Sequence, residues 1–212
     1  FVVVALFSTT SFSYNSDPKI FIAELIEDAI NTLSNKNITI TENESIDEIF
    51  WLEQGTVIFQ NVLIENNICA SSLIWVHGNT TNLLLVNSTL TNNSNSTKSI
   101  YGYGAVTVNI ENSIIWNNSD DQMEFSNFIS NISVNNSLYS GGQNGSENFY
   151  SDPLFVDAAN GDYRLSNFSP CIGAGLDTSI VPLTDLDGNP RPNPAGSNPD
   201  MGAYENSLAF PD

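Results

Sequence analysis

The sequence predicts an all-β protein: a right-handed parallel β-helix with one amphipathic helix and an irregular C-terminal covering segment. Three observations lead to this prediction. Asparagine recurs at intervals of about 25 residues, the apolar residues around these asparagines alternate with polar ones, and the last quarter of the chain is rich in Pro, Gly and Asp.

The repeat becomes visible when four stretches are aligned, each with asparagine at its third place: FQNVLIENN, LVNSTLTNN, IENSIIWNN and VNNSLYSGG. Together with KNITITEN they place five asparagines at steps of 24, 26, 25 and 24 residues: Asn37, Asn61, Asn87, Asn112 and Asn136. Short strands that recur at this interval cannot each bury a face alone, whereas stacked coils can. We therefore expect residues 1–142 to form the coils.

The five asparagines are expected to form a structural ladder. Equivalent positions of successive coils lie about 4.8 Å apart, so amides that both donate and accept can bond along the stack. Asparagine also tolerates the left-handed backbone of tight turns. The alternative is that these are ordinary turn residues.

Two predictions concern the N-terminal part of the chain: one extends the repeat, and the other interrupts it. LFSTTSFSYNSD from Leu6 aligns with VNIENSIIWNNSD from Val108, which predicts a truncated coil for residues 1–13; the alternative is the remnant of a secretory signal peptide. Between the coils, apolar residues at helical spacing follow Pro18 and continue to Leu33. They predict an amphipathic helix over about 18–33.

The charge excludes some classes of partner. With 24 acidic and 5 basic side chains the formal net charge is -19, which argues against nucleic acid and anionic lipid because polyanions need clustered basic contacts. No apolar run is long enough to predict a transmembrane span. Cys69 and Cys171 lie in dissimilar contexts, so two small buried thiols are expected, and a disulfide between them is the alternative.

Residues 143–212 form a different segment, which is expected to pack on the last coils. Its blocks DPLFVD, NGDYRLSNFSPCIGAG, DLDGNPRP and DMGAYE resemble, in order, the C-terminal segment of bacterial surface right-handed parallel β-helix proteins of the choice-of-anchor Q type. The resemblance covers about 55 residues. It implies a β-helix fold and an extracellular or cell-surface location, and it assigns no catalytic residues to positions of this sequence. From the residues themselves, Arg164 and Arg191 are expected to pair with local carboxylates such as Asp162 and Asp187.

The sequence has few side chains in arrangements that are typical of catalysis. A β-helix lyase needs an Arg or Lys base, and the repeat region from Asn37 to Gly142 contains one Lys or Arg, Lys98. A hydrolase needs two carboxylates at a set separation, for which Asp120 and Asp121, near Glu124, are the only clustered candidates; His77 stands alone. The sequence therefore favours a protein that is not an enzyme.

Two binding sites are predicted. Asp185, Asp187 and Asn189 in DLDGN have the oxygen-rich pattern of a calcium loop, although a tight turn stabilised by Asp is the alternative. Aromatic residues on successive coils predict a strip for sugar stacking: Tyr101, Tyr103, Trp116 and Tyr139. Ordinary packing is the alternative.

The sequence thus predicts a non-catalytic secreted or cell-surface module with a structural or adhesive role and glycan binding. The alternative is the non-catalytic end of a polysaccharide lyase or glycoside hydrolase with this fold.

Overall fold

The computed structural model describes residues 11–12, 32–45, 48–95, 97–119, 123–126, 131–139, 147–148 and 150–212. In it the chain is a parallel β-solenoid of about three turns. The predicted all-β, β-helix class is confirmed.

The coils are built from short strands that pair with the equivalent strand of the next coil. In chain order these are β1 (Ser11–Phe12), β2 (Thr32–Thr41), β3 (Glu44–Ser45), β4 (Phe50–Leu52), β5 (Thr56–Glu65), β6 (Ile68–Cys69), β7 (Ile74–His77), β8 (Asn82–Val86), β9 (Thr89–Thr91), β10 (Ser94–Asn95), β11 (Ile100–Tyr103), β12 (Thr107–Glu111), β13 (Ile114–Trp116), β14 (Met123–Ser126), β15 (Asn131–Asn135) and β16 (Leu138–Tyr139). One sheet has the order β15-β12-β8-β5-β9-β13-β16 and includes β2 and β1, a second has the order β10-β6-β3, and a third has the order β14-β11-β7-β4.

The register of these strands reproduces the period of the sequence. Thr32 pairs with Thr56, Thr56 with Asn82, Asn82 with Thr107, and Thr107 with Asn131. These pairs are 24, 26, 25 and 24 residues apart, which are the steps of the asparagine series. The spacing of the asparagines therefore measures the length of each coil.

The N-terminal predictions fall largely outside the described residues. Ser11 and Phe12 pair in parallel with Thr39 and Ile40, which is the position that the alignment of Leu6–Asp17 with the later repeat assigns to them. Residues 18–31 of the predicted helix are not described. Residues 32 and 33 belong to β2, so the helix does not reach residue 33 as predicted.

Four of the predicted asparagines turn the chain in the left-handed conformation. Their φ angles are 54°, 45°, 51° and 45° at Asn61, Asn87, Asn112 and Asn136, a region that asparagine tolerates better than most residues. The side chain of Asn37, on β2, is outside the described part. After each turn both faces of the strand are covered, as in β13, where Ile114 and Ile115 are both buried.

Serine follows three of these turns and joins successive coils. The Ser88 hydroxyl accepts a bond from the backbone N–H of Val62 at 3.1 Å. In the same way, the Ser113 hydroxyl accepts a bond from the backbone N–H of Ser88 at 3.2 Å. The Ser137 hydroxyl accepts one from the backbone N–H of Ser113 at 3.1 Å. Each hydroxyl thus satisfies an N–H that the turn removes from the sheet.

A second asparagine column, inside the stack, carries the direct bonds between side-chain amides. The Nδ2 atom of Asn43 donates to Oδ1 of Asn67 at 2.8 Å, Asn67 to Asn93 at 2.9 Å, and Asn93 to Asn118 at 2.8 Å. Asn67 and Asn93 are at most 1% exposed. These buried stacked amides were not among the asparagines singled out from the sequence.

Residues 150–212 run along the side of the stack. They contain β17 (Phe155–Asp157), a 3₁₀ turn at Ala158–Asn160 and β18 (Asp162–Leu165), with β17 and β18 paired antiparallel. The asparagines of the predicted ladder bond mainly to this segment: Asn61 Nδ2 donates to the Thr184 carbonyl, Asn87 to that of Asp200 at 3.0 Å, Asn112 to that of Leu176 at 2.9 Å, and Asn136 to that of Ala174 at 3.3 Å. Within the ladder, Asn112 Nδ2 lies 3.5 Å from Asn87 Oδ1. The C-terminal segment therefore contacts several successive coils, and not the last coils alone as expected from the sequence.

A small apolar core joins this segment to the coils. Outward-facing Ile114 and Leu138 pack against its buried residues, which are Leu165, Cys171, Ile172 and Met201. Gly202, at φ 91°, makes the close approach: a Cβ there would lie 2.8 Å from the Ile114 Cδ1 atom. Cys69 and Cys171 are buried and unbridged, so the prediction of buried thiols is confirmed.

Buried charges organise the same segment. The Arg191 Nε atom lies 3.3 Å from Glu205 Oε2, and neither side chain is exposed. Although no aligned N–H bond joins those two atoms, Arg191 donates through its terminal nitrogens to the carbonyls of Asp200 and Gly202 at 3.2 Å. Burial raises the pKa of Glu205 to about 7, against the opposing effect of Arg191. Burial likewise raises the pKa of Asp200 to about 6.

Both arginines pair with carboxylates, but only Arg164 pairs with the two that the sequence analysis named. Arg164 lies 3.1 Å from Asp162 and 2.8 Å from Asp187, as expected. Arg191 pairs with Glu205, a buried carboxylate that the sequence analysis did not name.

Candidate ligand-binding face

Five aromatic side chains form one exposed surface on the third sheet, which we call the aromatic band: Trp51, Trp75, His77, Tyr101 and Tyr103. The strands that carry them read FWL, IWVH and IYGY. Alternate residues of each strand point inward and are buried, so the aromatic positions point outward.

Strand register brings these side chains into two columns. Trp51 pairs with Trp75 and Trp75 with Tyr101, while His77 pairs with Tyr103. Ring centroids are 5.3 Å apart for Trp51 and Trp75, 4.8 Å for Trp75 and Tyr101, and 5.7 Å for His77 and Tyr103. Trp51 and His77, 5.7 Å apart, connect the columns. The result is one continuous surface across three coils.

Two glycines end the strands beside the band. Gly78 and Gly104 follow His77 and Tyr103 with φ angles of 107° and 102°, which side chains rarely adopt. A Cβ on Gly104 would lie 2.2 Å from the Gly78 carbonyl oxygen. Close stacking of two bare backbone turns thus holds the aromatic strands in register.

The band is partly open to solvent, and two of its polar atoms are buried without a partner. Trp51 is 39% and Tyr103 48% exposed, while the other three side chains are half-buried. Among the described residues, Trp75 Nε1 and His77 Nδ1 have no hydrogen-bond partner. Both atoms are buried, so the ligand-accessible part of the band is the exposed faces of Trp51 and Tyr103.

Charged groups border the band on both sides. Glu124 is in register with Tyr101, and its side chain is 55% exposed. Lys98 lies 4.0 Å from it. On the other side, exposed Glu53 follows Leu52, which pairs with Val76, so it lies one coil away from His77.

The predicted sugar-binding residues are divided between different environments. Tyr101 and Tyr103 lie in the band. Trp116, on β13, packs beneath the C-terminal segment, and Tyr139, on β16, is 3% exposed in the main core. Strands β13 and β16 belong to the first sheet, whereas β11, which carries Tyr101 and Tyr103, belongs to the third, so the four side chains do not share a face.

Sequence reasoning missed Trp51, Trp75 and His77. The available clue was an aromatic residue in the middle of a short apolar run at positions 51, 75 and 101, steps of 24 and 26 residues. Those steps match the coil length, so the three positions fall in one column.

The predicted calcium residues face different partners. Asp185 is 1% exposed and accepts bonds from the Asn189 backbone N–H at 2.8 Å and side-chain Nδ2 at 3.1 Å. Asp187 instead pairs with Arg164. These contacts are those of a tight turn stabilised by Asp185. Within the described ranges, no group of three or more His, Cys, Asp or Glu side chains is placed to hold a metal ion.

The candidate catalytic residues do not form a described cluster. Asp120 and Asp121 lie outside the described residues, whereas Glu124 and His77 are at the band. A separate polar groove of about 710 Å³ contains Glu42, Glu65 and Asn92. Glu65 there accepts a bond from Asn66 Nδ2 at 2.7 Å, and burial raises its pKa. Since that groove has no aromatic surface for a sugar ring, the aromatic band is the stronger candidate.

In the part of the chain that is described, no helix has the length and apolar character needed to span a membrane. Comparisons of the chain with protein-family models, with curated proteins and with solved structures find no match. The resemblance of residues 151–205 to surface β-helix proteins therefore stays a prediction.

Proposed function

We propose that this chain is a non-catalytic, exported β-solenoid module, displayed at the cell surface, that binds glycans through the aromatic band. The observation that supports the proposal most directly is the band itself, five aromatic side chains in mutual contact on one partly exposed face.

The chemistry of the band fits a sugar. A pyranose ring has apolar C–H groups on its faces and hydroxyl groups around its rim, so it is recognised by aromatic surface combined with polar atoms. Trp and Tyr supply large contact areas at a low cost in side-chain entropy. The hydroxyl of Tyr103, a side chain that is 48% exposed, adds hydrogen-bonding capacity within the same surface.

The scaffold favours binding because it holds the band in place before a ligand arrives. Two of the three aromatic strands pair on both sides, β7 between β4 and β11, and β11 between β7 and β14. Inward-facing residues such as Ile74 and Ile100 are fully buried. Little conformational entropy is therefore lost when a ligand orders these rings.

Ring stacking also contributes to stability, at about 0.5–1.5 kcal/mol for each aromatic pair. A stabilising role alone would be served equally well by buried rings. The 48% exposure of Tyr103 and the 39% exposure of Trp51 leave aromatic surface accessible, which supports a binding role in addition.

Surface display is supported by two features of the sequence. The four C-terminal blocks resemble surface β-helix proteins, and the net charge of -19 suits a solubilised extracellular stalk. Adhesion would then follow from glycan binding by a displayed solenoid.

A glycan array followed by calorimetry on the ligands found tests the proposal. Tyr103→Ala and Trp51→Ala are expected to weaken binding at least about tenfold, the scale of an aromatic interface contact. Tyr150→Ala is the matched control, since Tyr150 is 77% exposed and lies outside the band. Equal binding by all three variants, each with an unchanged circular dichroism spectrum, would refute the role of the band.

A further inference from the structure

The charges that border the aromatic band determine which glycans it suits. Glu53 is exposed beside His77, and Glu124, 55% exposed, is in register with Tyr101. The backbone of Glu53 lies against the Gly78 turn that follows His77, since a Cβ on Gly78 would lie 2.6 Å from the Glu53 carbonyl oxygen. Carboxylates thus stand near both ends of the band.

One cation accompanies these two carboxylates. Lys98 Nζ lies 4.0 Å from Glu124 Oε2, and its side chain is 21% exposed. Lys98 is also the only Lys or Arg in the sequence between Lys36 and Arg164. The border of the band is therefore net negative, on a chain whose total charge is -19.

This charge pattern selects against acidic polysaccharides. A uronate or sulfated polymer would place anions beside Glu53 and Glu124, with one basic side chain to offset them. The anions of such a polymer and these two carboxylates would repel each other, because exposed charges interact over about 10 Å at ordinary ionic strength. The aromatic surface is thus available to neutral or cationic glycans only.

We infer that the ligand class of the band is a polysaccharide of amino sugars with free, protonated amino groups. This inference rests on the proposed function. Sugar ring faces would lie on the aromatic side chains, and ammonium groups would pair with Glu53 and Glu124. Ammonium groups are also attracted to the faces of Trp and Tyr rings, so both components of the site favour the same ligand.

Three hexasaccharides of equal length test the inference: fully deacetylated chitohexaose, its N-acetylated form and an oligogalacturonide. Calorimetry is done at a pH where the amines are protonated and the carboxylates ionised. The deacetylated hexamer is expected to bind at least tenfold tighter than the acetylated one, and its affinity is expected to fall as sodium chloride is raised from 20 to 200 mM. No binding is expected for the oligogalacturonide.

Charge variants separate this inference from the proposed function. Glu53→Gln and Glu124→Gln are expected to weaken binding of the deacetylated hexamer several-fold and to leave the acetylated hexamer unaffected. Lys98→Gln is expected to strengthen binding of the deacetylated hexamer, because Glu124 then loses the cation that competes with the ligand. Glu147→Gln, which alters an exposed carboxylate outside the band, serves as the control.

The outcomes are distinguishable. If the acetylated hexamer binds as tightly as the deacetylated one and Tyr103→Ala still weakens it, the amino-sugar inference is overturned and the glycan-binding band stands. If the oligogalacturonide binds best, the inference is overturned in the same way. If no hexamer binds, the inference fails, and if no glycan on the array binds in a way that Tyr103→Ala weakens, the proposed function fails as well.

Discussion

Replacing Asn93 by Ala removes five hydrogen bonds from the interior of the stack. Its Oδ1 atom accepts from the backbone N–H and the Nδ2 atom of Asn67 at 3.0 and 2.9 Å. Its Nδ2 atom donates to the carbonyls of Ile64 and Thr91 at 2.9 and 3.1 Å, and to Oδ1 of Asn118 at 2.8 Å. Asn93 is 1% exposed, so water does not replace these bonds.

The expected loss of stability follows from these bonds. Each contributes about 1 kcal/mol net, and a buried group left unpaired costs about 1–3 kcal/mol. The Asn67 backbone N–H loses its partner on Asn93, whereas the Asn67 side chain keeps its bonds to the carbonyls of Ile40 and Glu65. We therefore expect Asn93→Ala to lower the free energy of unfolding by about 3–5 kcal/mol.

Urea denaturation followed by circular dichroism measures this loss as a lower midpoint at constant slope. Asn79→Ala is the matched control, because Asn79 is exposed, and it should change stability by less than about 0.5 kcal/mol. A loss below about 1 kcal/mol for Asn93→Ala would refute the reasoning, since it would show that the internal column does not hold the coils together.

Two further predictions concern the C-terminal segment. Burial raises the pKa of Glu205 to about 7 and that of Asp200 to about 6, so between about pH 4 and pH 7 the folded chain binds more protons than the unfolded chain. Stability is therefore expected to fall by on the order of 2 kcal/mol as the pH is raised from 5 to 8, and Glu205→Gln should flatten this dependence in urea titrations; stability that rises with pH would contradict it. Gly202→Ala is expected to cost about 2–4 kcal/mol from left-handed strain and overpacking against Ile114, measured by faster limited proteolysis of the segment and a lower urea midpoint. Gly196→Ala shares the φ of 91° but meets no atom within 4 Å, so equal losses in the two variants would show that the contact with Ile114 carries no energy.

The sequence predicts the coil well because a parallel stack repeats its geometry. Every coil must return the chain to the same place, so its length appears directly as the interval between equivalent residues. The steps from Asn61 to Asn136 therefore match the strand register. Left-handed turns at these asparagines likewise follow from the local preference of a single residue type.

The sequence does not show which asparagine of a pair points inward. Asn66 and Asn67, and again Asn92 and Asn93, are adjacent; the first of each pair has positive φ and the second is buried. A left-handed residue changes the direction of the chain, and simple alternation no longer assigns the next side chain to a face. The internal column could be recognised only once the coil was closed.

The same limit applies to the aromatic residues. Tyr101 and Tyr103 could be placed on an outer face because their strand alternates regularly. Trp116 and Tyr139 could not, since each follows a left-handed turn and the outward face there is covered by residues far away in the chain, as the bond between Asn87 and Asp200 shows.

By itself, the sequence determined the fold class, the number of residues in each coil and the strongly negative net charge. All three depend on local spacing or on composition. Only the tertiary structure decided which asparagines bond to each other, which outer face is covered and which aromatic side chains meet. These depend on contacts between residues of different coils, and on the C-terminal segment, whose position along the stack is determined by packing against Ile114 and Leu138 and not by any repeating interval in the sequence.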